Sequence, residues 1–304
     1  MNGSRRSDPL RILLAYDLSP AAERAVALLA GVTWPPGTVV RVATSPVGVG
    51  SGSSSFALLS ERRAHARETT STIASAHERI GADLRAAGVS VETAVIHGKP
   101  ERVVVAAAAG WAADLIVVGA RDQSPLGATL LGSVSRSIVD RATCSVLIAR
   151  DPAVSRVVLA TDGSRPATLA ARFVGTWPMF ERARILVVTV GDAPSRYGVM
   201  DLDEPMDTAR ARQSTDPSRN AAGLATDVAR DLAERGRSVE IDARSGDPAT
   251  EVVAAAELWA ADLVVIGAHS EPLARRLILG SMARKVIDGA RWSVLVARAR
   301  MPSP

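Results

Sequence analysis

Apolar residues fall into two kinds of run along this chain. Short unbroken runs such as ILLAY (12–16) and DLIVVGA (114–120) read as strands, the second buried on both faces. Between them, PAAERAVALLAGV (20–32) carries its apolar residues at helical spacing and ends near Gly31. TVVRVAT (38–44) and the alternating VSVETAVI (89–96) predict two more strands. The polar stretch 61–87 is helix-prone and stops at Gly88. Pro100 opens a helix through ERVVVAAAAGWA, SVSRSIVDRA (133–142) predicts another, and SVLIAR (145–150) a last strand.

The same pattern is then written a second time. GKPERVVVAAAAGWAADLIVVGA (98–120) matches GDPATEVVAAAELWAADLVVIGA (246–268) at an offset of 148, as SVLIAR (145–150) matches SVLVAR (293–298). RILLAYDLS (11–19) matches RVVLATDGS (156–164) at an offset of 145. A period this long is a duplicated domain rather than a solenoid. The connector DPAVS (151–155) places the boundary, giving expected domains 1–151 and 152–304. Strands alternating with helices predict an α/β fold: two tandem open parallel five-stranded sheets, helices on both faces, right-handed crossovers.

Open parallel sheets bind ligands beyond the carboxyl ends of their strands. Asp17 and Gly119 stand at two such ends, and Asp162 and Gly267 repeat them. A strand order of 3-2-1-4-5 brings each Asp and Gly to one crevice. Thirteen positions beyond each glycine, Gly132-Ser133 and Gly280-Ser281 open a helix whose N–H groups attract an anion. A glycine turn with a serine cap explains each Gly-Ser taken alone. Its recurrence beside an Asp in both copies brings in a nucleotide, with ribose and base near the Asp and phosphates near the Gly-Ser.

Composition narrows the choices. Apolar residues at 47% allow a core, while aromatics at 3% leave it to Val, Leu, Ile and Ala. A net charge of +4, dispersed and almost all arginine, predicts no nucleic-acid surface. No segment has the roughly twenty apolar residues of a membrane span. Cys144 is the only cysteine, so no intrachain disulfide forms, and a reducing compartment is expected. It reads as a packing residue. GVGSGSSS (48–55) follows the wrong strand for a dinucleotide fingerprint and reads as a loop. His65, His77, His97 and His269 lack metal-ligand spacing; the first two are expected to be solvated on a polar helix. Trp111 and Trp259 read as packing residues, and 192–220 as a long loop, a candidate lid.

Together, LLAYDLSPAAERAV and VLATDGSRPATLAA, the GKP and GDP turns, ADLIVVGA and ADLVVIGA, GSVSRSIVDRA and GSMARKVIDGA, and the SVL strands resemble the universal stress protein family in its tandem form. That resemblance implies the Rossmann-like fold of adenine nucleotide alpha hydrolases and an ATP-binding role in the cytoplasm, as a stress-response sensor or regulator with at most slow hydrolysis. It assigns nucleotide contacts to Asp17, Ser45, Gly98, Gly119, Gly132, Ser133, Val134 and Ser135. In the second half it assigns them to Asp162, Val190, Gly246, Gly267, Ser270, Gly280, Ser281 and Met282, with Val190 beside adenine. The ATP-binding branch also carries a middle glycine, replaced here by Asp122 and Ser270. An Asp carboxylate repels phosphate where a Ser does not, so the second site is favoured. The alternative is a nucleotide-free interaction module of the same family. The last strands are expected to pair the halves into a pseudo-dimer, and two chains into a homodimer.

Overall fold

In the computed structural model, residues 9–46, 56–120, 131–191, 217–268 and 279–299 are described, with side chains in the helices at 56 and 217 described from Thr69 and Ala222 onward. The strands are β1 (Arg11–Ala15), β2 (Val39–Thr44), β3 (Ser90–Val95), β4 (Leu115–Gly119) and β5 (Ser145–Ala149), then β6 (Arg156–Ala160), β7 (Arg184–Gly191), β8 (Ser238–Ser245), β9 (Leu263–Gly267) and β10 (Ser293–Ala297). The helices are α1 (Pro20–Gly31), α2 (Phe56–Ala86), α3 (Pro100–Gly110), α4 (Ser133–Arg141), α5 (Arg165–Thr176), α6 (Pro217–Glu234), α7 (Pro248–Leu258) and α8 (Ser281–Gly289). Two expectations shift. Helix α2 starts at Phe56 rather than at 61, and Pro217 opens α6 inside the stretch expected to be loop up to 220. The expected loop 48–55 lies outside the described residues.

All strands within a half are parallel, in the order β3-β2-β1-β4-β5 and, reversed across the molecule, β10-β9-β6-β7-β8. The halves share one ten-stranded sheet, because β5 and β10 pair antiparallel at Val146↔Val296, Leu147↔Leu295 and Ile148↔Val294. Successive residues of each strand face opposite sides of the sheet, which splits the core into two layers. One face holds Ile12, Leu14 and Leu147 under α1, α2, α5 and α6; the other holds Leu13, Val146 and Ile148 under α3, α4, α7 and α8.

Both layers cross the seam between halves. On the first face Trp34 meets Trp177, its counterpart, with ring centroids 6.4 Å apart. On the second, α4 and α8 exchange reciprocal ion pairs. Arg136 Nη2 lies 2.6 Å from Asp288 Oδ1, and Arg284 Nη2 lies 2.9 Å from Asp140 Oδ1. Leu131 and Leu279, the residues just before the two Gly-Ser steps, are buried beside these pairs.

Candidate functional site

Each crevice is built from one Asp loop and one helix start. After β6, Asp162 Oδ1 accepts from Ser164 N at 2.9 Å, and Ser164 Oγ accepts from Ala167 N at 3.3 Å to cap α5. The first half repeats this, with Asp17 accepting from Ser19 N at 3.1 Å and Ser19 from Ala22 N at 3.2 Å. Between them the chain takes a left-handed turn. Gly163 adopts φ +74° there without strain, whereas Leu18 must hold φ 63° with a side chain attached.

The outer glycines of the repeat have a reason of their own. A Cβ on Gly267 would lie 2.5 Å from the Pro166 carbonyl carbon and 2.6 Å from Ala167 N. A Cβ on Gly119 would lie 2.3 Å from the Ala21 carbonyl group. The missing side chain lets the start of α5 or α1 sit directly against the end of the neighbouring strand. Gly119 and Gly267 thus bring the two walls of the crevice together.

Across the crevice the expected caps change place. Ser133 and Ser281 are the first helical residues, and the cap positions belong to Gly132 and Gly280, which offer no side-chain bond. The serine-cap expectation is therefore corrected. These helix starts present backbone N–H groups without a side-chain acceptor, while α1, α5 and α7 begin under Ser19, Ser164 and Asp247. Ser133 and Ser281 are exposed at the rim.

In the second half these parts enclose a cleft of about 180 Å³. Asp162, Gly267, Gly280, Ser281 and Met282 line it, with Ala160, Ser164, Pro166, Ala167 and Ala283. Val190 stands at the end of β7, beside β6, partly buried against the second core layer. Gly246 follows β8 at φ +144°, and a Cβ there would crowd Glu251. Neither lines the cleft itself. Ser270, Asp122 and His269 lie outside the described residues.

In the first half, Ser45 Oγ donates to the Gly98 carbonyl at 2.9 Å, and Ser135 Oγ donates to the Gly119 carbonyl at 3.0 Å. Both hydroxyl protons are thereby engaged in holding strand ends. Gly98, at φ +131°, is required because a Cβ would meet Val103 Cγ1 at 2.7 Å. Val134 packs on the second core layer as Met282 does. Asp17 is exposed.

The first half also holds a polar cluster that the sequence reading missed. Tyr16 donates its phenolic hydrogen to Glu23, which Arg79 Nη2 bonds at 2.6 Å. Burial first, then Glu23, pushes the phenol up to about 12. Thr161 stands at the matching position of the second half. Nearby, Thr44 Oγ1 and His77 Nε2 lie 2.9 Å apart. His77 is buried, against the expectation of a solvated residue, and burial holds its imidazole below the ordinary value. The signal was present in spacing: Ile73, His77, Ile80 and Leu84 form one buried stripe of α2. Trp111 packs as expected, with Arg11 and Arg41 over its ring at 4.9 and 4.2 Å.

Among the described residues no helix is long and apolar enough to cross a membrane. None of their His, Cys, Asp and Glu side chains gather as a metal site.

Comparison with known proteins adds the ancestry. The family model described as the universal stress protein family matches this chain twice, at residues 10–150 and 154–298. A Thermus aquaticus universal stress protein is 35% identical over 143 residues, 46% of this chain and 97% of that protein. A Mycobacterium bovis universal stress protein is 29% identical over 232 residues, 73% of each chain. The crystal structure of a universal stress protein from Archaeoglobus fulgidus superposes with a TM-score of 0.63 at 20% identity, covering 95% of this chain and 98% of that one.

Proposed function

This chain belongs to the universal stress protein family, and from that premise we propose that it binds an adenine nucleotide, ATP, in its second-half crevice. The observation that carries the reading is the α8 start at Gly280-Ser281, open to an anion, facing Asp162 across one cleft. Phosphates take the backbone N–H groups there, helped by the helix dipole. The Asp162 carboxylate accepts from ribose hydroxyls, as a carboxylate with free lone pairs does. The base extends along the strand ends toward Val190 and Gly246. The protein acts in the cytoplasm as a stress-response sensor or regulator rather than as a fast enzyme.

Isothermal titration with ATP and AMP tests this on the whole chain. Binding is expected, and Asp162→Ala is expected to weaken it by roughly ten- to a hundredfold, the worth of hydrogen bonds to a charged group. Absence of binding at millimolar nucleotide refutes the proposal.

Asp122, where the ATP-binding pattern has glycine, favours a second reading: a nucleotide-free interaction module. On that reading Asp122→Gly with Ser270→Gly creates an ATP affinity that the parent lacks. Nucleotide retained by the parent through purification refutes it. In either case the halves act as an intrachain pseudo-dimer, and light scattering reports whether chains pair further into a homodimer.

A further inference from the structure

The crevice of the second half carries a charged pair at its rim that the first half does not repeat. Lys285 Nζ lies 3.3 Å from Asp247 Oδ2, joining α8 to the start of α7. The other carboxylate oxygen caps α7, accepting from Thr250 N at 3.0 Å and from Thr250 Oγ1 at 2.8 Å. At the offset of 148, Lys99 stands in the place of Asp247 and Ser137 in the place of Lys285. Lys285 follows Ser281 by four residues, which puts both on one face of α8, a turn apart. Side chains on a helix lean back toward its N-terminus. The ammonium is therefore carried back toward the first turn of α8, where the uncapped N–H groups are, and its bond to the α7 cap places it between the two helix starts.

On β8, α7 and α8 the described cations are Arg244, Arg284 and Lys285. Arg244 is held by two acids, Asp242 at 2.7 Å and Glu251 at 3.2 Å, and its side chain is 19% exposed. Arg284 is drawn across the seam to Asp140 at 2.9 Å. Lys285 differs from both. Its side chain is 63% exposed, and Asp247, the acid it meets, is 49% exposed. Water competes well for a pair as open as this, so it is held weakly. A lysine ammonium is a compact charge on a flexible four-carbon stem and can turn to a new partner. A chain of phosphates offers several negative charges against the single one of Asp247.

We propose that Lys285 makes the second-half crevice prefer a nucleoside triphosphate to a monophosphate, an inference that rests on the nucleotide reading of that crevice. As the phosphate chain meets the α8 start, the ammonium leaves Asp247 and donates to phosphate oxygens. Base and ribose contacts are the same for both ligands, and the backbone N–H groups serve a single phosphate as well as a chain. The attraction of a full positive charge grows with the number of phosphates near it. Asp247 works against this. It competes for the ammonium, and its own carboxylate repels the phosphate chain. The first half has neither residue of the pair, so the selectivity belongs to the second crevice alone.

Isothermal titration of the whole chain with ATP, ADP, AMP and adenosine, all at one ionic strength, is the test. In the parent protein affinity is expected to rise with each phosphate. Lys285→Gln is expected to cut the preference for ATP over AMP by roughly three- to tenfold, the worth of a charge-assisted contact at an exposed rim, with its smallest effect on adenosine. Asp247→Asn keeps a residue that caps α7 as well as Asp does and removes only the charge. It is expected to raise the preference for ATP, and a variant that fails to raise it overturns the competition from Asp247. An unchanged ratio in Lys285→Gln, or an equal loss for all four ligands, overturns the role of Lys285 while the nucleotide site stands. Absence of binding by every ligand to the parent overturns the nucleotide reading itself, and this inference with it.

Discussion

Buried beneath α2 with Thr44 against its ring, His77 takes up a proton on worse terms than it would in an unfolded chain. Its folded pKa is depressed, so above the ordinary value of 6.5 both states are neutral and the linkage contributes nothing unfavourable. As pH falls below that value the unfolded chain binds the proton first, and stability is lost. His77→Gln is expected to flatten the loss of denaturation midpoint between neutral and mildly acidic pH, measured by urea unfolding at several pH values. Tyr16 works from the alkaline side. Its phenol is raised to about 12, so its contribution is present below 10 and is lost as pH rises toward the folded value. Tyr16→Phe is expected to reduce the alkaline decline in the same measurement. Neither residue was visible in composition. His77 sits in a polar helix whose buried stripe is only one position in four wide. Tyr16 finds its partners 7 and 63 residues away. The glycines were easier to find than to explain. Gly119 and Gly267 stood out by their spacing, yet their cause is a backbone contact with α1 and α5 that no local pattern shows. Gly267→Ala is expected to cost about 1–3 kcal/mol by chemical denaturation, because the added carbon meets backbone rather than a side chain that can turn away.

The helix starts divide into those with a side-chain cap, α1, α5 and α7, and those without one, α3, α4 and α8. Ser164 bonds the first turn of α5, so Ser164→Ala is expected to cost about 1 kcal/mol of stability. Ser281 follows its cap position instead, so Ser281→Ala is expected to change stability by less than about 0.5 kcal/mol. Its effect is expected in nucleotide affinity. Denaturation and titration on the same pair of variants check both statements. The sequence pattern delivered the elements themselves because each carries its own period, and the duplication supplied two readings of every strand. It missed which residue caps α8, since Gly-Ser is compatible with either register until φ and ψ are known.

At the level of the whole molecule, the strand order 3-2-1-4-5 is only an assumption in the sequence, and the structure has it in each half. The Arg136–Asp288 and Arg284–Asp140 pairs are not legible there at all, because each joins residues about 140 to 150 positions apart. Both core layers and the sheet run through the seam. The two halves are therefore expected to melt as one unit. Calorimetry should give a single transition whose van't Hoff and calorimetric enthalpies agree, and two resolved transitions would contradict it.

The reversed pairing of β5 with β10 also has a meaning for descent. In a dimer of identical chains, every substitution falls on both sides of the axis at once, so neither site can change without the other. Here the two sides are covalently one chain with separate codons. Tyr16 could depart from Thr161, Cys144 from Trp292 and Leu18 from Gly163 while the opposite side stayed as it was. The fused axis releases each half from copying its twin, and the two crevices are free to diverge.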